Sequence, residues 1–200
     1  RNYEHKNRKE ARKEALYGLS RVQLGEEYFA KYPHQLSGGE LQRIAIARAI
    51  ALHPKLLICD EATSALDVSI QKQILGLLEE HQVETHFAIL FICHDLALAE
   101  QFSHRVAVMY LGKIVEIMEG KCLRKNAHHP YSRALLSSAF SLHDDPGTPI
   151  RILSGEPPSP VNFPQGCAFC GRCRYATDIC RTEEPDLRTI GENHQVACHL

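Results

Sequence analysis

Three groups of residues in this sequence have the type and spacing to do chemistry. The first is Asp60-Glu61, two carboxylates that follow directly on the apolar run Leu56-Leu57-Ile58-Cys59. An acid directly after a buried strand is costly unless it has work to do. Asp60 is placed to hold a divalent cation, directly or through water, and Glu61 to polarise an attacking water as a general base. His94 ends a second apolar run, residues 88–93, and is placed to reach the same reacting group. A paired acid is often only a turn, and a single histidine is most often structural. Both acids and the histidine standing at strand ends is a stronger signal than any one of them.

The second group is Ser37-Gly38-Gly39-Glu40. Ser37 and Glu40 have the spacing of a capping box, and the two glycines leave the first amides of the helix open. A helix start of that kind is an anion site, because its amides and the positive end of its dipole point outward. The plainer reading is an ordinary N-cap. The third group is Cys167, Cys170, Cys173, Cys180 and Cys198, five of the eight cysteines within the last stretch of the chain. Exposed free thiols at that density are hazardous, and five thiols exceed the usual four-ligand site. Zinc prefers two paired knuckles, whereas the spacing of 167, 170 and 173 is that of a ferredoxin run without its proline-marked fourth cysteine. Cys59 and Cys93 lie in apolar runs and read as small core residues.

The elements that position these groups follow from periodicity. Residues 1–35 read as polar and helical, ending at Tyr32-Pro33; the basic Lys6, Arg8, Lys9 and Arg12 read as a solvated face. A helix opens at Ser37 with Leu41, Ile44, Ala45, Ala49 and Leu52 on one face, and Pro54 stops it. The two apolar runs read as strands buried on both faces in a parallel sheet, joined by a helix over 67–84 with Ile70, Ile74, Leu77 and Leu78 inward. That is a βαβ unit. In such sheets ligands bind beyond the carboxyl ends of the strands, where Asp60, Glu61 and His94 stand. A hairpin over 105–118 turns at Leu111-Gly112, and a short helix follows His128-His129-Pro130-Tyr131 and reaches Ser138. Six prolines between residues 145 and 166 mark an extended connector.

Composition sets bounds. The 200 residues are 44% hydrophobic and 24% charged, with a net charge of -1, so no global field draws the chain to nucleic acid or an acidic membrane. The longest apolar run falls far short of the roughly 20 residues of a membrane-spanning helix. The cysteine placement reads as a metal site in a reducing compartment rather than a disulfide scaffold.

Leu36-Ser37-Gly38-Gly39-Glu40, followed by Gln42-Arg43 and Ala47-Arg48-Ala49, resembles the signature motif of ABC ATPases. Leu56 to Glu61 resembles their Walker B strand with its catalytic glutamate, Ser64-Ala65-Leu66-Asp67 their D-loop, and His94 their switch histidine; Cys93 stands where a threonine or serine is commoner. His129-Pro130-Tyr131-Ser132-Arg133-Ala134-Leu135-Leu136 is similar to the segment after the core in oligopeptide, dipeptide and nickel importers. Ile152-Leu153-Ser154-Gly155-Glu156-Pro157-Pro158 and Gly166-Cys167-Ala168-Phe169 extend that similarity. The resemblance implies an α/β fold: the C-terminal half of an ABC-type P-loop NTPase core with a small irregular cysteine-rich extension. It divides the chain into the end of a helical subdomain (1–35), the ATPase core (36–120), a helical connector (121–145) and a proline-rich linker with the cysteine tail (146–200).

Several functional expectations follow from the resemblance. Glu61 and His94 are catalytic, and Ser37, Gly38, Gly39, Glu40, Asp60 and Asp67 contact ATP and Mg²⁺. Cys167, Cys173, Cys180 and Cys198 hold a 4Fe–4S cluster, with zinc as the alternative and Cys170 as the extra thiol. The partners are a second ABC ATPase subunit, a membrane permease and, indirectly, an extracytoplasmic solute-binding protein, with no nucleic acid. The place is the cytoplasmic face of the plasma membrane, as a peripheral subunit. Peptide import is the first reading and nickel import the second; a DNA-repair or translation ABC protein and a metal-binding regulatory module are the readings from other classes. No Gly-x-x-x-x-Gly-Lys-Ser/Thr occurs: Gly112-Lys113 and Gly120-Lys121 lack the first glycine and the hydroxyl. The Walker A loop, the nucleotide-stacking aromatic and the Q-loop are expected upstream, in a longer protein.

Overall fold

The computed structural model describes residues 7–63, 66–138, 158 and 164–200. Ser64 and Ala65 of the D-loop, Lys6 of the basic stretch, residues 152–157 and nearly all of the proline-rich connector lie outside the described residues. The chain forms two compact units, Arg1–His94 and Asp95–Leu200.

In the first unit, helix α1 (Arg8–Arg21) opens on a capping box: the Asn7 side chain accepts from the Lys9 and Glu10 amides at 3.0 Å, and Glu10 accepts from the Asn7 amide at 3.1 Å. The helical reading of 1–35 needs correction here. Gln23 takes a left-handed φ of 57°, which ends the helix, and two short 3₁₀ turns, Glu26–Ala30 and Pro33–Gln35, carry the chain to Ser37. Helix α2 (Gly38–Ile50) begins where expected. Its inward face is a different one: Arg43, Ile46 and Ala47 are buried, while Leu41 and Leu52 are exposed. Arg43 can turn inward because acceptors meet it there. Its guanidinium donates to the Val22 carbonyl at 3.0 Å, to Gln23 Oε1 at 3.4 Å and to Gln73 Oε1 at 2.5 Å.

Strands β1 (Leu56–Asp60) and β2 (Ala88–Ile92) pair in parallel, from Leu56 opposite Ala88 to Asp60 opposite Ile92. Helix α3 (Val68–Thr85) connects them, with Ile74, Leu75, Leu77, Leu78 and His81 buried. The βαβ unit is as read from the sequence. Two-faced burial is not. Leu57 and Cys59 are buried, but Leu56, Ile58, Leu90 and Ile92 are exposed, so apolar side chains on both faces still give an alternating pattern.

In the second unit, Asp95 caps helix α4 (Leu96–Phe102) by accepting from the Ala97 and Leu98 amides at 2.9 and 3.1 Å. Strands β3 (Arg105–Tyr110) and β4 (Lys113–Glu119) form the expected hairpin. Both turn residues, Leu111 at φ 47° and Gly112 at φ 76°, are left-handed, as a tight two-residue hairpin turn requires. Helix α5 (Leu123–Asn126) and helix α6 (Pro130–Ser138) follow, the latter starting on its proline.

The tail is more ordered than the irregular extension expected. After helix α7 (Asp178–Thr182), strands β5 (Arg188–Gly191) and β6 (His194–Val196) make a second hairpin. It joins the first in one antiparallel sheet of order β3-β4-β6-β5, with Glu116 opposite Val196 and Ile117 opposite Gln195. Backbone pairing to β4 is what orders the chain's end.

Candidate functional site

The first unit brings two of the expected catalytic groups together. Asp60 is the last residue of β1, exposed, and Glu61 follows it at a φ of 45°. A glutamate in the left-handed region costs on the order of 1 kcal/mol and persists only where its surroundings hold it. Here the Glu61 amide donates to the Ile92 carbonyl at 2.9 Å, one step past the end of the β1–β2 ladder. That bond turns the carboxylate out at the carboxyl edge of the sheet. His94, two residues beyond β2, places Nδ1 3.9 Å from Glu61 Oε1, with both side chains exposed. Adjacent strand ends therefore present a carboxylate and an imidazole side by side.

At the start of α2, Ser37 Oγ accepts from the Glu40 amide at 3.3 Å, while Glu40 Oε2 accepts from the Ser37 amide at 2.7 Å and from Ser37 Oγ at 2.9 Å. The other carboxylate oxygen takes the Tyr28 hydroxyl at 2.5 Å. The Tyr28 bond, followed by the two from Ser37, holds the Glu40 carboxyl down at about 2. The amides of Gly38 and Gly39 have no acceptor among the described residues. The glycines differ in why they are needed. A Cβ on Gly39 would meet Ile70 Cγ2 at 2.9 Å, whereas one on Gly38 would meet Leu66 at an ordinary 3.8 Å. Asp67 caps α3, accepting from the Ile70 amide at 2.9 Å.

The Gly-Lys pairs are engaged elsewhere. Gly112 closes the hairpin turn, and Lys113, the first residue of β4, pairs with Glu184 at 2.5 Å; Lys121 pairs with Glu119 at 3.0 Å. A Cβ on Gly120 would fall 1.9 Å from the Ser103 carbonyl oxygen, so that glycine is fixed by packing.

In the second unit all five tail cysteines line one pocket, together with His129, Pro130, Phe169, Tyr175, His199 and Leu200. Cys170, Cys180 and Cys198 are buried, Cys167 and Cys173 half-buried, and all are free thiols. Burial pushes the Cys167 and Cys173 thiols up, and the neighbouring cysteines add to the effect. Gly166, at φ 74°, is the residue that lets the segment close: a Cβ there would strike the Cys180 carbonyl at 2.6 Å. The same carbonyl accepts the Cys167 amide at 2.9 Å, tying the loop to α7. Five thiols about one pocket fit a thiolate-bound centre in donor chemistry, with one thiol more than a four-ligand site needs. Among the described residues, no three His, Cys, Asp or Glu side chains already stand in metal-holding geometry.

Comparison with known proteins accounts for both halves. Residues 1–64 match the family described as ABC transporter, and residues 115–180 match the oligopeptide/dipeptide transporter C-terminal region. A di/tripeptide transport ATP-binding protein of Pseudomonas aeruginosa is 47% identical over 96% of this chain and 59% of its own length. An oligopeptide transport ATP-binding protein of Bacillus subtilis is 48% identical over 91% of this chain and 56% of its own. Along nearly its whole length the chain is similar to ATP-binding proteins of peptide ABC transporters. It spans just over half the length of these curated relatives. Among solved structures, the dimeric bacterial ABC transporter cassette MJ0796 aligns at a TM-score of 0.52 and 33% identity, over 57% of this chain and 49% of its own. The cassette cbiO1 from Clostridium perfringens aligns at 0.54 and 32%, over 60% and 47%.

The chain also carries functional-looking residues that sequence reasoning missed. Glu116 is fully buried on β4 and accepts from the His128 amide at 2.6 Å, the His129 amide at 3.1 Å and His194 Nε2 at 2.8 Å. One carboxylate thereby fixes the lead-in to α6 and strand β6 of the tail. The only trace in the sequence is an acid set among Val115, Ile117 and Met118. His129 is 1% exposed, and burial lowers its pKa to about 4. Its ring packs on Phe169, centroids 5.7 Å apart, in a cluster with Tyr110 and Tyr131.

Proposed function

We propose that this chain works within an ATP-hydrolysing subunit that powers peptide import through a membrane permease. The observation that carries the reading is the pairing of Glu61 with His94 at neighbouring strand ends, 3.9 Å apart. Glu61 is the general base: its carboxylate is exposed to water, and its turned-out backbone aims it past the sheet edge. His94 steadies the γ-phosphate beside it. Asp60, one residue before the base, holds Mg²⁺, which neutralises charge on the phosphates.

The Ser37-Gly38-Gly39 turn serves the other half of the reaction. Its open amides and dipole end suit the γ-phosphate of ATP held by a second ABC subunit, as homodimer or heterodimer, and Asp67 lies at that interface. Glu40 stays ionised, and hydrogen bonds from Tyr28 and Ser37 hold its carboxylate within the cap. The relatives named for peptide transport support peptides as the cargo. Among the described residues no helix is long and apolar enough to cross a membrane. The subunit meets the membrane through the permease, at its cytoplasmic face.

The tail is a thiolate centre in the same reading. Cys167, Cys173, Cys180 and Cys198 hold a 4Fe–4S cluster, with zinc as the alternative, and its work is to order the tail.

The test is ATP turnover. The full-length protein should hydrolyse ATP, whereas the purified 200-residue chain, without a phosphate-cradling Gly-Lys-Ser/Thr loop, should not. Steady turnover by the chain alone would contradict the reading.

A further inference from the structure

His129 lies in the second unit, 1% exposed, and lines the same pocket as the five tail cysteines. Its position is fixed from three sides. The Glu116 carboxylate accepts its backbone amide at 3.1 Å, Phe169 packs on its ring, and its Nδ1 accepts the Tyr131 amide at 3.1 Å. The last contact also settles where the ring proton is. A backbone amide can only donate, so Nδ1 carries a lone pair and the proton sits on Nε2. A protonated Nε2 has no lone pair for a metal, so His129 is a hydrogen-bond donor in this pocket and not a ligand. Among the described residues that donor has no acceptor. That N–H is not sealed away from solvent, and among the groups that share the pocket are the sulfurs of five cysteines.

We propose that His129 donates its Nε2–H to a sulfur of the metal–thiolate centre held by the tail cysteines, and so secures that centre without ligating it. The inference rests on the reading of the tail as a metal site. Donors of this kind orient ligands and spread their charge, and losing one typically loosens metal by about 10- to 100-fold. A thiolate that receives a hydrogen bond is also a poorer target for protons, which is how such centres are dismantled. His129 belongs to the segment leading into α6 and the cysteines to the tail, so the bond would fasten the two together.

Two substitutions separate this role from a purely structural one. In His129→Asn the side-chain oxygen replaces Nδ1 and still accepts the Tyr131 amide, but no donor reaches the pocket. In His129→Gln the side-chain NH₂ replaces Nε2–H, while the Tyr131 acceptor is lost. Full-length protein is purified anaerobically, and iron and zinc retained against excess chelator are followed over time. The proposal expects His129→Asn to release metal about 10- to 100-fold faster than wild type and His129→Gln to stay near wild type. An unchanged His129→Asn, or loss from His129→Gln as fast as from His129→Asn, overturns it. Nitrogen NMR of histidine-labelled, metal-free protein gives a check without any variant: an Nδ1–H tautomer at His129 also overturns it. Wild-type protein holding neither iron nor zinc fails the metal reading itself and takes this proposal with it.

Discussion

The two units place their chemistry in opposite settings. At the β1–β2 edge the Glu61 and His94 side chains are 60% and 74% exposed, while in the tail Cys170, Cys180 and Cys198 are buried. On the proposed function, the contrast follows from what each would do. Groups that act on a nucleotide arriving from water and leaving as product have to stay accessible, and the backbone, not burial, fixes their aim. Groups that hold a resident centre gain from exclusion of water, which protects thiolates and strengthens each contact. The supports differ likewise: one amide-to-carbonyl bond sets Glu61, whereas a buried carboxylate, an aromatic cluster and a sheet hairpin surround the tail pocket.

The comparison breaks most visibly at the cysteines. Replacing Cys173 with serine should abolish metal retention in anaerobically purified protein, since both the ferredoxin-like and the family-like ligand sets use it. Cys170→Ser should retain it if Cys167, Cys173, Cys180 and Cys198 are the ligands; metal analysis reads both, and full retention in Cys173→Ser would remove the tail centre. A smaller effect is expected at Glu116. Glu116→Ala leaves His194 and two amides without their acceptor, a loss of about 3 kcal/mol for a broken buried pair. Denaturant unfolding of the second unit should show it, and a change below about 0.5 kcal/mol would mean that water replaces the carboxylate.

The smallest effect belongs to the exposed side. Tyr28 is the largest of the causes that hold Glu40 at about 2, so Tyr28→Phe should raise the Glu40 pKa toward its ordinary 4.5. The sign is that of a depressed carboxylate. Its contribution to the α2 cap is complete above the unfolded-state value and is lost as pH falls toward about 2 in the wild type, and at higher pH in the variant. A carbon NMR titration of the Glu40 carboxyl would register the shift, and an unmoved titration would show that Ser37 alone sets the value.

The sequence made the strand-end chemistry legible because unbroken apolar runs and a capping box are local signals. Asp60, Glu61, His94 and the start of α2 all stand where the pattern puts them. What it hid depends on distant partners. The inward turn of Arg43 requires Val22, Gln23 and Gln73 to converge, and periodicity assigns an arginine to water. The buried Glu116 depends on amides 12 and 13 residues away and a histidine 78 away. Likewise the apolar faces of β1 and β2 read as doubly buried because the pattern records side-chain type, not what packs on each face. In the tail, the cysteine spacing marked candidate donors, but the β5–β6 hairpin beside them comes from pairing to β4.

The most direct measurement of the whole account is ATP turnover and ATP binding in full-length protein carrying Glu61→Gln. The substitution keeps size and hydrogen bonding but removes the base. Hydrolysis should fall roughly 10²-fold or more while nucleotide affinity is unchanged. Unchanged turnover in this variant would take Glu61, and with it the pairing to His94, out of the reaction.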